Sequence, residues 1–257
     1  MSAADAVSAA AVGAVAGVLS GLFGVGGGIV MTPGFDWFLP VSQIAALETP
    51  LPVIFPTSLM GAITYRKAGE LDVRAAAWMA PGGLAGAVVG ALLTRVVDTR
   101  VLLLVTAAIL GYQSVSILRG TRKRSASTER PSPPPVLALI GLAAGLVSGL
   151  LGIGGGIVLV PILNGWLGMP LKKTLGTSLL TIPAIVIPGT IVHAALGDIE
   201  WWVFVFATFG AVPGARLGAR LALGTREHTL RLAVGTFMLL IAAGYGAAQV
   251  FALLVRA

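Results

Sequence analysis

Residues 13–33 read GAVAGVLSGLFGVGGGIVMTP, and residues 141–161 read GLAAGLVSGLLGIGGGIVLVP. Shifting the first stretch by 128 positions gives the second without a gap, and 13 of the 21 residues are identical. Gly24, Gly26, Gly27 and Gly28 each cost a helix interior about 1 kcal/mol relative to alanine, so together they interrupt it. The surroundings are apolar, and interrupted backbone inside a membrane persists only where protein or a water-filled cavity satisfies it. A duplicated break of this kind predicts a carrier whose site lies between two repeats.

Composition fixes the class. The 257 residues are 56% hydrophobic and 11% charged, whereas a soluble domain carries roughly 25% charged residues. The chain is therefore read as an all-α, polytopic helical membrane protein. Its net charge of +7 reads as anchoring of cytoplasmic loops rather than nucleic-acid binding. With no cysteine and only two histidines, His193 and His228, disulfides and thiolate metal sites are excluded. The N-terminal MSAADAV has no basic region and carries Asp5, which argues against a cleaved signal peptide.

Apolar segments run at roughly 7–31, 50–66, 74–96, 101–118, 136–160, 176–196, 201–222 and 229–255. Most approach the roughly 20 residues needed to cross the hydrocarbon core. Residues 119–135, RGTRKRSASTERPSPPP, are basic and proline-rich and read as an extended linker. Arg119, Arg122, Lys123 and Arg124 also suit an anionic-lipid contact. The organisation is thus a first membrane repeat at 1–118, the linker at 119–135, and a second repeat at 136–257. The same offset of 128 carries Thr49 to Thr177, Gly61 to Gly189, Gly69-Glu70 to Gly197-Asp198, and Gly82, Gly86 and Gly90 to Gly210, Gly214 and Gly218.

Charge decides the relative orientation. Eight simple crossings with the N-terminus inside divide the 17 Lys and Arg residues nine inside to eight outside. If each glycine-broken segment returns to its own side, only Arg95, Arg100 and Arg256 fall outside, leaving 14 inside. The second arrangement obeys the positive-inside rule. It makes the repeats inverted in topology and places both termini outside.

The helix restarting after each break presents free N–H groups and a partial positive charge, which suits an anion. Gly26, Gly27 and Gly28 and their copies Gly154, Gly155 and Gly156 are therefore candidate binding residues, against the plainer reading of close helix packing. Packing is the reading for Gly13, Gly17 and Gly21 and for Gly82, Gly86 and Gly90, whose spacing is small-xxx-small. Such faces also allow a homodimer. GVGGGIV lacks the spacing and the Lys-Ser/Thr of a nucleotide loop.

Thr49, Thr177 and Ser178 read as N-caps of long apolar helices, and their hydroxyls are also candidate donors to a bound oxyanion. Glu48 is the carboxylate beside a predicted break; at depth it is costly and functional, at the rim it is solvated. His193, which maps onto Tyr65, is either a structural hydrogen-bonding residue or a proton carrier. Glu48 and His193 are the candidates for proton coupling. Arg216 and Arg220 read as snorkelling to the interface, and Trp37, Trp201 and Trp202 as an interfacial belt. No metal cluster, nucleophile elbow or HExxH motif is present, so neither an enzyme nor a cofactor is expected.

The paired glycine segments, GTSLLTIP at 176–183 and the stretch from His193 to Asp198 resemble the TauE/SafE sulfite exporter family, also called the toluenesulfonate uptake permease family. The resemblance covers essentially the whole chain. It implies a multi-pass carrier of the bacterial inner membrane for small sulfur-containing anions such as sulfite or sulfonates. It also implies substrate roles for Gly26–Gly28, Gly154–Gly156, Thr177 and Ser178. The first half departs from the family pattern, with Pro50 following Thr49 and Tyr65 where histidine is usual. A secondary transporter, acting as an exporter by alternating access, is the expected function. A passive anion channel and a membrane scaffold are the alternatives.

Overall fold

The computed structural model describes residues 2–93, 114, 115, 118, 133–152 and 154–254. Linker residues 119–132, and all but 114, 115 and 118 of the segment 101–118, lie outside that set. Ten α-helices occur among the described residues: α1 (Ala3–Phe23), α2 (Gly28–Phe38), α3 (Gln43–Glu48), α4 (Pro50–Lys67), α5 (Val73–Leu93), α6 (Pro134–Leu151), α7 (Gly156–Pro161), α8 (Leu171–Leu196), α9 (Trp201–Gly224) and α10 (Glu227–Leu254). A π-helical turn, Ile162–Trp166, extends α7. Pro134 opens α6, so two of the four prolines assigned to the linker, Pro134 and Pro135, belong to a helix. A proline in the first turn lacks only an N–H that the helix would leave unpaired. Among the described residues, five runs are long and apolar enough to cross a membrane: Ala3–Phe23, Ile44–Lys67, Val73–Leu93, Leu171–Leu196 and Trp201–Gly224. The chain is a helical membrane protein.

Packing follows the glycines. A Cβ on Gly13, Gly17 or Gly21 of α1 would strike the backbone of Ala207, Ala211 or Ala215 of α9. Both series ascend together, so α1 and α9 run parallel. In the other half, Gly141, Gly145 and Gly149 of α6 meet the backbone of Met79, Gly83 and Ala87 of α5 in the same way. Each of these pairs is the first set shifted by 128 with the partners exchanged. Reciprocal contact of this form is what a two-fold relation produces. Each repeat thus packs its broken helix against a helix of the other repeat. These side chains are too small to keep the backbones apart, and close approach is the main source of attraction between helices in lipid.

The central pair is α4 and α8. Leu51 lies against Gly189, Leu179 against Gly61, and Tyr65 against Gly176. One series ascends as the other descends, so these two equivalent helices are antiparallel. Ile54 and Ile182, both fully buried, sit near the middle of the pair and flank both glycine breaks.

Candidate functional site

Each break is a short non-helical crossing. Gly24 ends α1 in the left-handed region at φ 71°, its N–H donating to Ser20 C=O at 2.8 Å. Gly26 and Gly27 both have φ 88°, and α2 starts at Gly28. The second copy repeats this with Gly152 at 68°, Gly154 at 84° and Gly155 at 73°, before α7 starts at Gly156. A side chain at such angles costs roughly 1–2 kcal/mol per residue. Two glycines of each triplet are thus set by backbone angle. In the second copy the third is set by contact: a Cβ on Gly156 would lie 2.6 Å from Gly24 O and from Val25 Cα. The two breaks lie back to back at the centre of the molecule, and Gly24 to Gly28 are all buried.

After its break the first segment doubles back. Gly27 lies beside Ala16 and Ser20, while Gly34 packs on Val12, so α2 runs antiparallel to α1. Gly155 lies beside the Ala144 carbonyl, the counterpart of Ala16 in the second copy. The N-terminus of α2 therefore opens in the interior, against the end of α1.

Ser20 stands at that opening, and its role is not visible in sequence beyond its recurrence as Ser148. The residue is fully buried, and its Cβ would lie 3.4 Å from a Cβ on Gly27, the N-cap of α2. Its hydroxyl has no hydrogen-bond partner. A buried polar group left without a partner costs about 1–3 kcal/mol. Of the described residues, only Thr208 shares this condition. A depression of about 420 Å³ on α9, lined by Phe204, Val205, Thr208, Phe209, Val212 and Pro213, contains no residue of the breaks.

The threonines do not cap their own helices. Thr177 lies in the second turn of α8, which begins at Leu171 behind Pro170, and Thr49 makes no capping bond to α4. Each instead receives an N–H from the opposite repeat. Asp72 N donates to Thr177 Oγ1 at 2.9 Å, just before α5, and Glu200 N donates to Thr49 Oγ1 at 3.1 Å, just before α9. For Thr177 and Ser178 the N-cap reading of the sequence fails because α8 extends two turns further toward its N-terminus, whereas Thr49 does stand at the N-cap position of α4 but turns its hydroxyl to Glu200. Lys172 holds that extension, donating to the Leu223 carbonyl at the end of α9 at 2.6 Å. Ser178 Oγ donates to Gly24 O at 2.8 Å, tying α8 to the first break. These three hydroxyls fix the frame around the breaks. Arg216 and Arg220 are exposed.

Glu48 and His193 meet. His193 Nε2 lies 3.1 Å from Glu48 Oε2, and His193 Nδ1 lies 3.0 Å from Asp198 Oδ2. Tyr65, the counterpart of His193, instead donates its hydroxyl to the Gly21 carbonyl at 3.0 Å. It packs on Gly176, the counterpart of Glu48. The ionisable trio therefore exists in one copy only.

The sequence profile described as Sulfite exporter TauE/SafE matches residues 9–245. A probable membrane transporter protein of Xylella fastidiosa is 26% identical over 239 residues, spanning 90% of each chain. One from Methanocaldococcus jannaschii is 30% identical over 186 residues, covering 70% of this chain and 69% of its own. One from Bacillus subtilis is 24% identical over 253 residues, covering 89% and 93% respectively. No solved structure matches. With the doubled glycine breaks described above, these matches make the chain a member of the Sulfite exporter TauE/SafE family.

Proposed function

We propose that the chain is a secondary transporter of small sulfur-containing anions, sulfite or an organosulfonate, working by alternating access between two inverted repeats of the bacterial inner membrane. Ser20 carries the reading: an orphaned hydroxyl buried at the inner start of an eleven-residue helix. A helix N-terminus supplies N–H donors and partial positive charge to an anion, and the hydroxyl adds one more donor. The Gly26–Gly28 and Gly154–Gly156 breaks form the floor of the site. Thr49, Thr177 and Ser178 hold the helices around it.

The antiparallel course of α4 and α8 supports the inverted relation. So does the return of α2 along α1, which is the arrangement that leaves 14 of 17 basic residues inside. Burial of Gly24 to Gly28 favours an occluded carrier over a standing pore. An inside-negative potential of 100 mV favours exit of a bare monovalent anion by about 2.3 kcal/mol, whereas an anion that moves with one proton is indifferent to that potential and follows its own gradient and that of pH, so neither mode requires an energy-coupling domain.

The test is flux of radiolabelled sulfite and alkylsulfonates into proteoliposomes. Saturable flux above empty liposomes is expected. Ser20→Ala should insert normally, since it removes an orphaned group. It should raise the half-saturating concentration about tenfold or more, a hydrogen bond to a charged group contributing about 1.5–3 kcal/mol. Absence of flux for every sulfur oxyanion tried would remove the transport reading. Single-channel currents would replace the carrier by a channel.

A further inference from the structure

We propose that Glu48, His193 and Asp198 form the binding site of a proton that crosses the membrane together with the anion. The inference rests on the transport reading above and deepens it by naming the coupled ion and its residues.

Hydrogen-bond chemistry fixes how many protons the trio holds. Both ring nitrogens of His193 lie within hydrogen-bonding distance of a carboxylate oxygen, at 3.1 and 3.0 Å. A neutral imidazole has one N–H and one bare nitrogen, and a carboxylate offers only acceptors. Both contacts are satisfied only when the three groups share two protons, as an imidazolium between two carboxylates or as a neutral ring beside one carboxyl group. With one proton fewer, a lone pair faces a lone pair in one of the two arms.

Position selects which arm gives way. Asp198 is five residues from His193 and is held there by its own N–H, which donates to the His193 carbonyl at 3.0 Å. The Glu48 arm has no such tether and crosses from the first repeat to the second. Losing the proton therefore loosens the one ionisable contact between α3 and α8. The groups that face the imidazole are Glu48 from α3 and Asp198 from the loop before α9. In that same loop the Glu200 N–H is bound to Thr49 Oγ1, and α4 opposes the end of α8 with apolar Leu51. Side-chain exposures of 24% for His193 and 26% for Asp198 give water, and hence protons, access. The two ring nitrogens point apart toward different carboxylates, so the trio does not converge on a metal ion.

The trio also touches the anion region. Glu48 Oε2, the oxygen paired with His193, lies 4.0 Å from a Cβ built on Gly152, where the second break begins. An anion entering between the breaks is repelled less when the trio holds its second proton. By linkage, the anion then raises the affinity for that proton by the same factor. The matching place at the first break carries Gly176 and Tyr65, with no charge on either. Coupling is thus built into one end of the α4–α8 pair.

Full-length protein in proteoliposomes, with methanesulfonate as the probe and a trapped pH dye, tests the proposal. Methanesulfonate holds no proton of its own at neutral pH, so any proton that moves with it is carried by the protein. One proton per anion is expected, with a rate indifferent to an imposed potassium diffusion potential. Rising pH should lower the rate about tenfold per unit once the second proton is lost, the slope of a single linked proton. The double substitution Glu48→Gly with His193→Tyr installs the pair already used at Gly176 and Tyr65. It should abolish proton movement, flatten the pH slope and make the remaining flux follow the potential. Asp198→Asn, on the exposed side of the trio, removes a negative charge that favours the proton, so its pH midpoint should move lower. Methanesulfonate flux without proton movement in the unsubstituted protein, driven by the potential, would overturn the coupling while leaving transport intact. Absence of flux for all sulfur oxyanions would overturn both.

Discussion

Gly156→Ala is expected to prevent the two halves from closing on one another. The added methyl would sit 2.6 Å from Gly24 O and Val25 Cα and 2.8 Å from Val25 C. All three are backbone atoms, so no rotamer change relieves the overlap. Gly24 is moreover fixed from two sides, by its N–H to Ser20 C=O and by Ser178 Oγ on its carbonyl at 2.8 Å. Overpacking a tight interior costs about 1–3 kcal/mol and more where backbone must move. Two kcal/mol is already a factor of about thirty in the folded-to-unfolded ratio. Gly197→Ala is the control. It has a left-handed angle, φ 77°, which Gly156 lacks, and open space around it, so it carries strain without collision. Monodisperse yield and thermal midpoint in detergent should fall sharply for Gly156→Ala and only slightly for Gly197→Ala. Equal behaviour of the two would show that the breaks do not bear on each other.

Bridging α4 to α8 is expected to reduce anion flux to near background. The chain has no cysteine, so a pair introduced as Leu51→Cys and Gly189→Cys can be joined by a short bis-methanethiosulfonate without side reaction. A Cβ on Gly189 lies 3.1 Å from Leu51 Cδ1, and at the other end of the pair a Cβ on Gly61 lies 2.8 Å from Leu179 Cδ1. The second site, Gly61→Cys with Leu179→Cys, staples the opposite side. Alternating access requires one repeat to rock against the other about the central site. Either staple therefore holds one side shut and should arrest turnover, and a reductant should restore it. Full flux through both stapled proteins would mean that α4 and α8 do not separate during transport.

The fold was legible in sequence wherever a residue's role is local. A glycine that must adopt a left-handed angle, such as Gly24 or Gly152, declares itself within its own segment. The small-xxx-small rows of α1 and α5 declare the faces that touch. The course of α2 had no local signal. It followed from charge balance across whole halves, and Gly34 on Val12 is its structural counterpart. Sequence shows Thr49 at the start of its helix but not the partners of Thr49 and Thr177, the N–H groups of Glu200 and Asp72, which are 151 and 105 residues away. The pairing of Glu48 with His193 is equally remote, although the offset of 128 sets it beside Gly176 and Tyr65. Asp198 depends on the left-handed turn at Gly197, which returns it to the imidazole. Ser20 carried no signal except its repetition, because an orphaned hydroxyl is recognised only once its surroundings are known.

Alternating access about a central site needs two halves that lie in the membrane in opposite senses. Ala68 and Leu196 are equivalent positions, 128 residues apart, each exposed at the end of a central helix. Single cysteines at these sites, in whole cells, can be challenged with a membrane-impermeant maleimide. Leu196→Cys is expected to react from outside, while Ala68→Cys reacts only after the membrane is opened. Reaction of both from the same side would contradict the inverted arrangement.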